Sequence, residues 1–223
     1  MHTHHRPLVI GPDPPIIACV NTKRRLWLPV LFLVALALTR VPNLLPPNFS
    51  GVYALGFCAA VYLPVRLAWT VPLVFLMVTD LVLNVFVYRV TPFSAFQLIA
   101  LVGLAAIVLW GRAFRPSDSW LKLLGGGLVG AVLFYLLTNT AAWLFNPFGN
   151  PEYTKDVSGW IIALTKGTGG YPQTWEFFRN TMMSGGLFTG IFVGAMKLSE
   201  APETEEEEQP EVVPEAEGEE SKA

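Results

Sequence analysis

The sequence predicts an all-α polytopic membrane protein, a bundle of six transmembrane helices. Two observations carry this. The 223 residues are 52% hydrophobic and only 14% charged, with a mean hydropathy of +0.47, which is too apolar for a soluble domain of this size. Six apolar segments also recur, at residues 26–41, 49–64, 67–88, 94–111, 120–145 and 175–197. Most approach the ~20 residues that cross ~30 Å of hydrocarbon. Because a bilayer offers no partner to an unpaired backbone group, these segments are expected to be helices.

Residues 1–22, MHTHHRPLVIGPDPPIIACVNT, lack the order of a secretory signal and read as a disordered cytoplasmic leader. Its histidines, His2, His4 and His5, are read as incidental. The membrane domain then spans 23–198, and 199–223 forms a disordered acidic cytoplasmic tail. The formal charge of −2 hides this split: the stretch from Glu200 onward carries 11 of the 17 acidic residues. With two cysteines, Cys19 and Cys58, no disulfide framework is expected.

The first segment is the weakest, interrupted by Pro29 and ended by Pro42. It leads into RVPNLLPPNFSGVYAL, which places Arg40, three prolines and two asparagines between two apolar runs. Charge near the segment ends sets the orientation. Lys23, Arg24, Arg25, Arg66, Arg112, Arg115, Lys122 and Lys197 fall on one side against Arg40, Arg89, Lys155, Lys166 and Arg179 on the other, eight to five. Positive residues favour the inside, so both termini are expected in the cytoplasm and the loops 41–48, 89–93 and 146–174 outside.

The third segment holds Asp80, Asn84 and Tyr88 at i, i+4 and i+8, one face of a helix. The fifth repeats the spacing with Tyr135, Asn139 and Trp143. Since segments one, three and five run outward, Arg40, Asp80, Asn84, Tyr88, Asn139 and Trp143 should lie at comparable depth in the outer half of the bundle. An ionisable residue in a span usually faces a partner or a cavity. Aromatics supplying area and amides supplying hydrogen bonds suit a solute pocket. The plainer readings stay open: an Arg40–Asp80 pair that locks helices together, asparagines that bridge helices, and an interfacial aromatic belt of Tyr88 and Trp143.

The loop from Asn146 to Phe178 is long for a helix connection and carries Trp160, Tyr171 and Trp175. It is expected to fold over the bundle with a short helix near 156–166. Gly186, Gly190 and Gly194, like Gly126 and Gly130, mark faces where helices pack closely. No metalloprotease, nucleophile-elbow or phosphate-loop motif is present, so no enzyme activity and no cofactor are expected. Asp80 and Glu176 would form an acid/base pair only if the outer loop brought them together.

RVPNLLPPNFSGVYALGFCAAVYLP followed by VPLVFLMVTDLVLN resembles a family of small bacterial membrane proteins that read R-x-x-P-x-P-P-N-F-[ST] and then a span with S-D-L. LLTNTAAWLFNPF, YP and FF-x-N-T continue the likeness in order. That family is described as candidate transport proteins. Its architecture is similar to the six-helix substrate-binding (S) components of energy-coupling-factor transporters. The resemblance covers most of residues 26–197 and carries over Arg40, Pro47, Asn48, Phe49, Asp80, Asn139, Trp143, Tyr171, Pro172 and Asn180. Two departures stand out. Gly51 replaces a family proline and is expected to loosen the loop, and LFLVALALT lacks the A-x-x-x-A docking pattern of many S components.

Together these readings predict capture of a small-molecule solute at the outer face of a bacterial inner membrane. Arg40, Asn48, Asp80, Asn84, Tyr88, Asn139, Trp143 and Tyr171 are the expected binding residues. Expected partners are the lipid bilayer and, from the resemblance, a transmembrane coupling subunit with an ATPase; no nucleic acid is expected. The alternative is a non-transporting membrane scaffold or assembly protein.

Overall fold

The computed structural model describes residues 32–200, and these form seven helices and no strand. They are α1 (32–38), α2 (Val52–Tyr62), α3 (Val65–Val82, continued by a π-helical segment at Leu83–Tyr88), α4 (Ala95–Gly111), α5 (Trp120–Phe145), α6 (Val157–Thr165) and α7 (Thr174–Glu200). The leader, Pro29, the basic cluster Lys23 to Arg25 and the acidic tail beyond Glu200 lie outside the described residues.

Three helices are long and apolar enough to cross a membrane: Val65–Tyr88, Trp120–Phe145 and Thr174–Ser199. α2 and α4 are apolar but shorter. The segment expected at 49–64 thus contributes only 11 helical residues, about 16 Å of rise. The reason is local. Pro46 and Pro47 supply no N–H, Asn48 is left-handed at φ 60°, and the helix starts only after Gly51. Of the segment expected at 26–41, the described part is helical over 32–38 and ends in turns before Pro42.

α2 is the centre of the bundle. Ten of its 11 residues are buried, and it packs against α3, α4, α5 and α7. A helix apolar all round belongs inside a protein. Its own Phe57 is fully buried, as are Leu104, Ile107, Leu123 and Val193 around it. Close approach is set by glycines. A Cβ at Gly111 would stand 2.7 Å from Ala60 Cβ, and one at Gly126 2.7 Å from Phe57 and Phe114. The Gly186–Gly190–Gly194 row packs more loosely on α5, with Trp120 Nε1 donating to Gly190 O at 3.3 Å.

Helix starts follow the sequence. Ser94, Ser119 and Asp156 each accept a backbone N–H, from Gln97, Lys122 and Gly159. α3 and α5 end at left-handed residues, Arg89 at φ 54° and Asn146 at φ 42°. The short helix anticipated near 156–166 is α6. It rests on α5 and α7, with Tyr135 Oη donating to Leu164 O and Trp160 Nε1 donating to Thr140 Oγ1 at 3.0 Å.

Candidate functional site

The helices alternate in direction, so the N-termini of α2, α4 and α7 meet the C-termini of α3 and α5 at one end of the bundle. The irregular segments 39–50 and 146–173 gather there, and a cavity of about 910 Å³ opens between them and the helices. It is within the usual size range of small-molecule sites.

Segment 39–50 is an ordered wall of this cavity, fastened at its base and at its far end. Thr39 Oγ1 accepts the Gly51 N–H at 3.1 Å, and Asn180 Nδ2 of α7 donates to Pro47 O at 2.9 Å. Asn43 at φ 64° and Asn48 at φ 60° make the two left-handed bends that flank Leu-Leu-Pro-Pro, a conformation asparagine tolerates better than most residues. Gly51, expected to loosen this stretch, instead tightens it. Its φ is an ordinary −75°, its N–H is used, and a Cβ there would come within 2.2 Å of Leu36.

Arg40 is held by α3 through three acceptors. Nη1 donates to Thr79 Oγ1 and, at 3.4 Å, to Leu76 O, while Nη2 meets Asp80 Oδ1 at 2.5 Å. Both side chains are 17% exposed. This is the ion pair that the sequence left open, and both of its members also line the cavity. Among the described residues they are the only charged side chains that line it, and their formal charges sum to zero.

Seven of the eight expected binding residues line it: Arg40, Asn48, Asp80, Asn84, Tyr88, Asn139 and Tyr171. Their roles differ. Asn139 Nδ2 donates to Tyr135 O at 2.8 Å one turn back, leaving Oδ1 without a partner among the described residues. Asn84 Nδ2 donates to Pro92 O at 3.1 Å and so also secures the turn after α3. Tyr88 and Tyr171 are 54% and 75% exposed, at the rim rather than the floor. The π-helical turn at Leu83–Tyr88 changes the phase on which Asn84 and Tyr88 were aligned with Asp80, yet all three reach the cavity.

Trp143 does not line it. Its Nε1 donates to Thr154 O at 2.7 Å, and Lys155 Nζ lies 5.6 Å over its ring while bonding Leu144 O at 2.7 Å. Trp143 therefore fastens the outer segment to α5. Glu176 is likewise apart from Asp80; its Oε1 accepts the Gln173 N–H at 3.2 Å at the start of α7.

The outer segment is further tied by carboxylates. Glu152 Oε1 accepts the Gly169 N–H at 2.9 Å, and Asp156 Oδ1 accepts from Gly159 N at 2.7 Å and Thr154 Oγ1 at 2.8 Å. Hydrogen bonding to the charged form lowers both carboxyl pKa values, chiefly through the Gly169 N–H for Glu152 and the Gly159 N–H for Asp156.

Sequence reasoning missed Gln97. It sits in the first turn of α4, lines the cavity, and is only 4% exposed. Its Nε2 has no partner among the described residues. A buried amide left unpaired costs about 1–3 kcal/mol. Gln97 is the one amide in the apolar run AFQLIALVGLAAIVLW, but it does not ionise, so the rule that singled out Asp80 passes over it.

The family described as "Family of unknown function (DUF6580)" matches residues 20–207, most of the chain. The chain belongs to that family. Its match takes in every helix described above and all the lining residues. No curated protein and no solved structure matches the chain.

Proposed function

We propose that this family member captures a small solute from the outside of a bacterial inner membrane, as a substrate-binding component similar to those of energy-coupling-factor transporters. The observation that carries the reading is the cavity of about 910 Å³ at one end of an apolar bundle, walled by an ordered irregular segment. In this reading all six expected segments cross the membrane and both termini are cytoplasmic. α2, with 11 residues, supplies only about half of a crossing, and segment 39–51 completes it. Non-helical backbone at membrane depth is tolerated where it is buried in protein or lines a cavity, and this segment does the second.

Among the described residues, basic side chains divide evenly between the ends. Arg66, Arg112, Arg115, Lys122 and Lys197 lie at the closed end, and Arg40, Arg89, Lys155, Lys166 and Arg179 at the open one. The inside assignment therefore leans on Lys23, Arg24 and Arg25. With no nucleotide-binding motif in the sequence, energy would come from a transmembrane coupling subunit and an ATPase, or from a gradient.

The scaffold reading has one observation in its favour. The Arg40–Asp80 pair joins the segment after α1 to α3, as a structural lock would. Native mass spectrometry of gently extracted protein separates the two readings. Capture predicts a retained small molecule that Asn139→Ala releases from a still-folded chain. A chain free of small molecules with a stoichiometric protein partner overturns capture in favour of the scaffold.

A further inference from the structure

We propose that the solute is uncharged and carries a planar carboxamide or lactam group, held by the side-chain amides of Gln97 and Asn139. This rests on the reading of the cavity as a capture site and names its ligand chemistry. Gln97 lines the cavity at 4% exposure with its Nε2 unpartnered among the described residues, so the wall offers a desolvated donor. Asn139, from the facing α5, spends its Nδ2 on Tyr135 O at 2.8 Å and keeps Oδ1 as an acceptor. A carboxamide or lactam carries both a carbonyl oxygen for Gln97 and an N–H for Asn139.

Charge selects against the alternatives. Arg40 and Asp80, the only charged lining residues among those described, neutralise each other at 2.5 Å, so an anion or a cation entering the cavity would be desolvated without a free counter-charge. Flatness follows from the apolar part of the wall, where Tyr53 and Phe134 stand edge to face at 4.9 Å and Phe96 and Phe177 add further ring surface. Gln97 is also placed between this cavity and an apolar cleft formed by Met77, Phe93, Leu98 and Leu101. Ser94 lines both as well, but its Oγ accepts the Gln97 backbone N–H, so the Gln97 amide is the unpartnered polar group of this wall among the described residues.

Three isosteric probes test the inference on the purified full chain in lipid nanodiscs: benzamide, benzoate and benzamidinium, followed by saturation-transfer NMR. Benzamide should bind roughly tenfold more tightly than either ion, and Gln97→Met should weaken it by roughly tenfold, the loss expected of one buried hydrogen-bonding group. The ligand-free Gln97→Met protein should melt at or above the wild-type temperature, since it loses an unpaired amide; a lower melting temperature would assign Gln97 to structure and overturn the proposal. Equal binding of an ion, or benzamide binding unchanged in Gln97→Met, overturns the ligand class and leaves capture standing. Failure of all three probes also overturns the ligand class, and the co-purified molecule sought above then decides whether capture falls with it.

Discussion

The two ends of this bundle are made from the same apolar helices and are finished in opposite ways. At the closed end the connections are short, Leu63 to Pro64 and Arg112 to Ser119. Several of its polar groups are spent on backbone: Arg112 Nη1 donates to Ala60 O at 2.9 Å at the C-terminal turn of α2, Lys197 Nζ to Pro116 O at 2.7 Å, and Trp110 Nε1 to Gly126 O at 2.9 Å. Phe114 packs edge to face on Phe57 at 5.2 Å and on Trp110 at 5.4 Å. At the open end the connections are long and irregular, and the polar groups are partly unspent. The contrast teaches where this sequence invests its order. A cation on a helix C-terminus and a glycine under a ring close one end, whereas an ion pair and an unpartnered amide border the cavity at the other.

The largest effect expected from breaking this contrast is at the open end's ion pair. Arg40→Met leaves the Asp80 carboxylate without its cation and should destabilise the protein by about 3 kcal/mol, while Arg40→Met/Asp80→Leu should recover most of that loss. Reversible unfolding of the two variants measures it; equal losses in both would mean the pair contributes packing rather than charge.

Next comes the closed end. Gly111→Ala forces a methyl to 2.7 Å from Ala60 Cβ and 3.1 Å from Phe57 O, and should cost about 1–3 kcal/mol. It should do so without altering retention of a co-purified solute, and altered retention would show that the two ends are coupled.

Asn139→Ala should do the reverse. It removes one helix-internal bond to Tyr135 O, worth about 1 kcal/mol or less in stability, but should weaken solute retention roughly tenfold. A thermal melt read beside native mass spectrometry separates the two effects.

The smallest effect is on pH. The folded-state pKa values of Glu152 and Asp156 lie below their unfolded values, so their contribution is present above the ordinary carboxylate range and is lost as pH falls through the lowered folded values. Asp156 is exposed and Glu152 partly exposed, so the change is small. The difference in melting temperature between wild type and Glu152→Gln/Asp156→Asn should shrink on acidification; a constant difference would remove these carboxylates from the account.

How much of this was legible in the sequence depends on which force decided each feature. Hydrophobic runs located α3, α4, α5 and α7, and the structure adds the local reason for three starts, where Ser94, Ser119 and Asp156 cap their own helices. The meeting of Arg40 with Asp80 was readable as well, since two opposite charges in apolar surroundings have few other partners. α2 was overestimated because an apolar run does not reveal where prolines and a left-handed asparagine postpone the helix. Trp143 stands apart from the cavity for a tertiary reason: the path of residues 150–155 across its face is set by Asn146 and Lys155, beyond any helical spacing. Gln97 went unnoticed because a single amide scarcely perturbs the hydropathy of its segment, and only the structure reveals that its amide is buried and unpaired.

The central claim is that the open end faces outward and receives a solute. Tyr171→Cys tests it most directly, in a Cys19→Ser background where the remaining Cys58 is buried. Intact cells are treated with a membrane-impermeant maleimide, with Ser117→Cys marking the closed end. The account predicts that Tyr171→Cys labels from outside while Ser117→Cys labels only after lysis. It also predicts that the small molecules released from denatured wild-type protein slow the outside labelling. Labelling of Ser117→Cys in intact cells, or Tyr171→Cys labelling that those molecules leave unchanged, would contradict it.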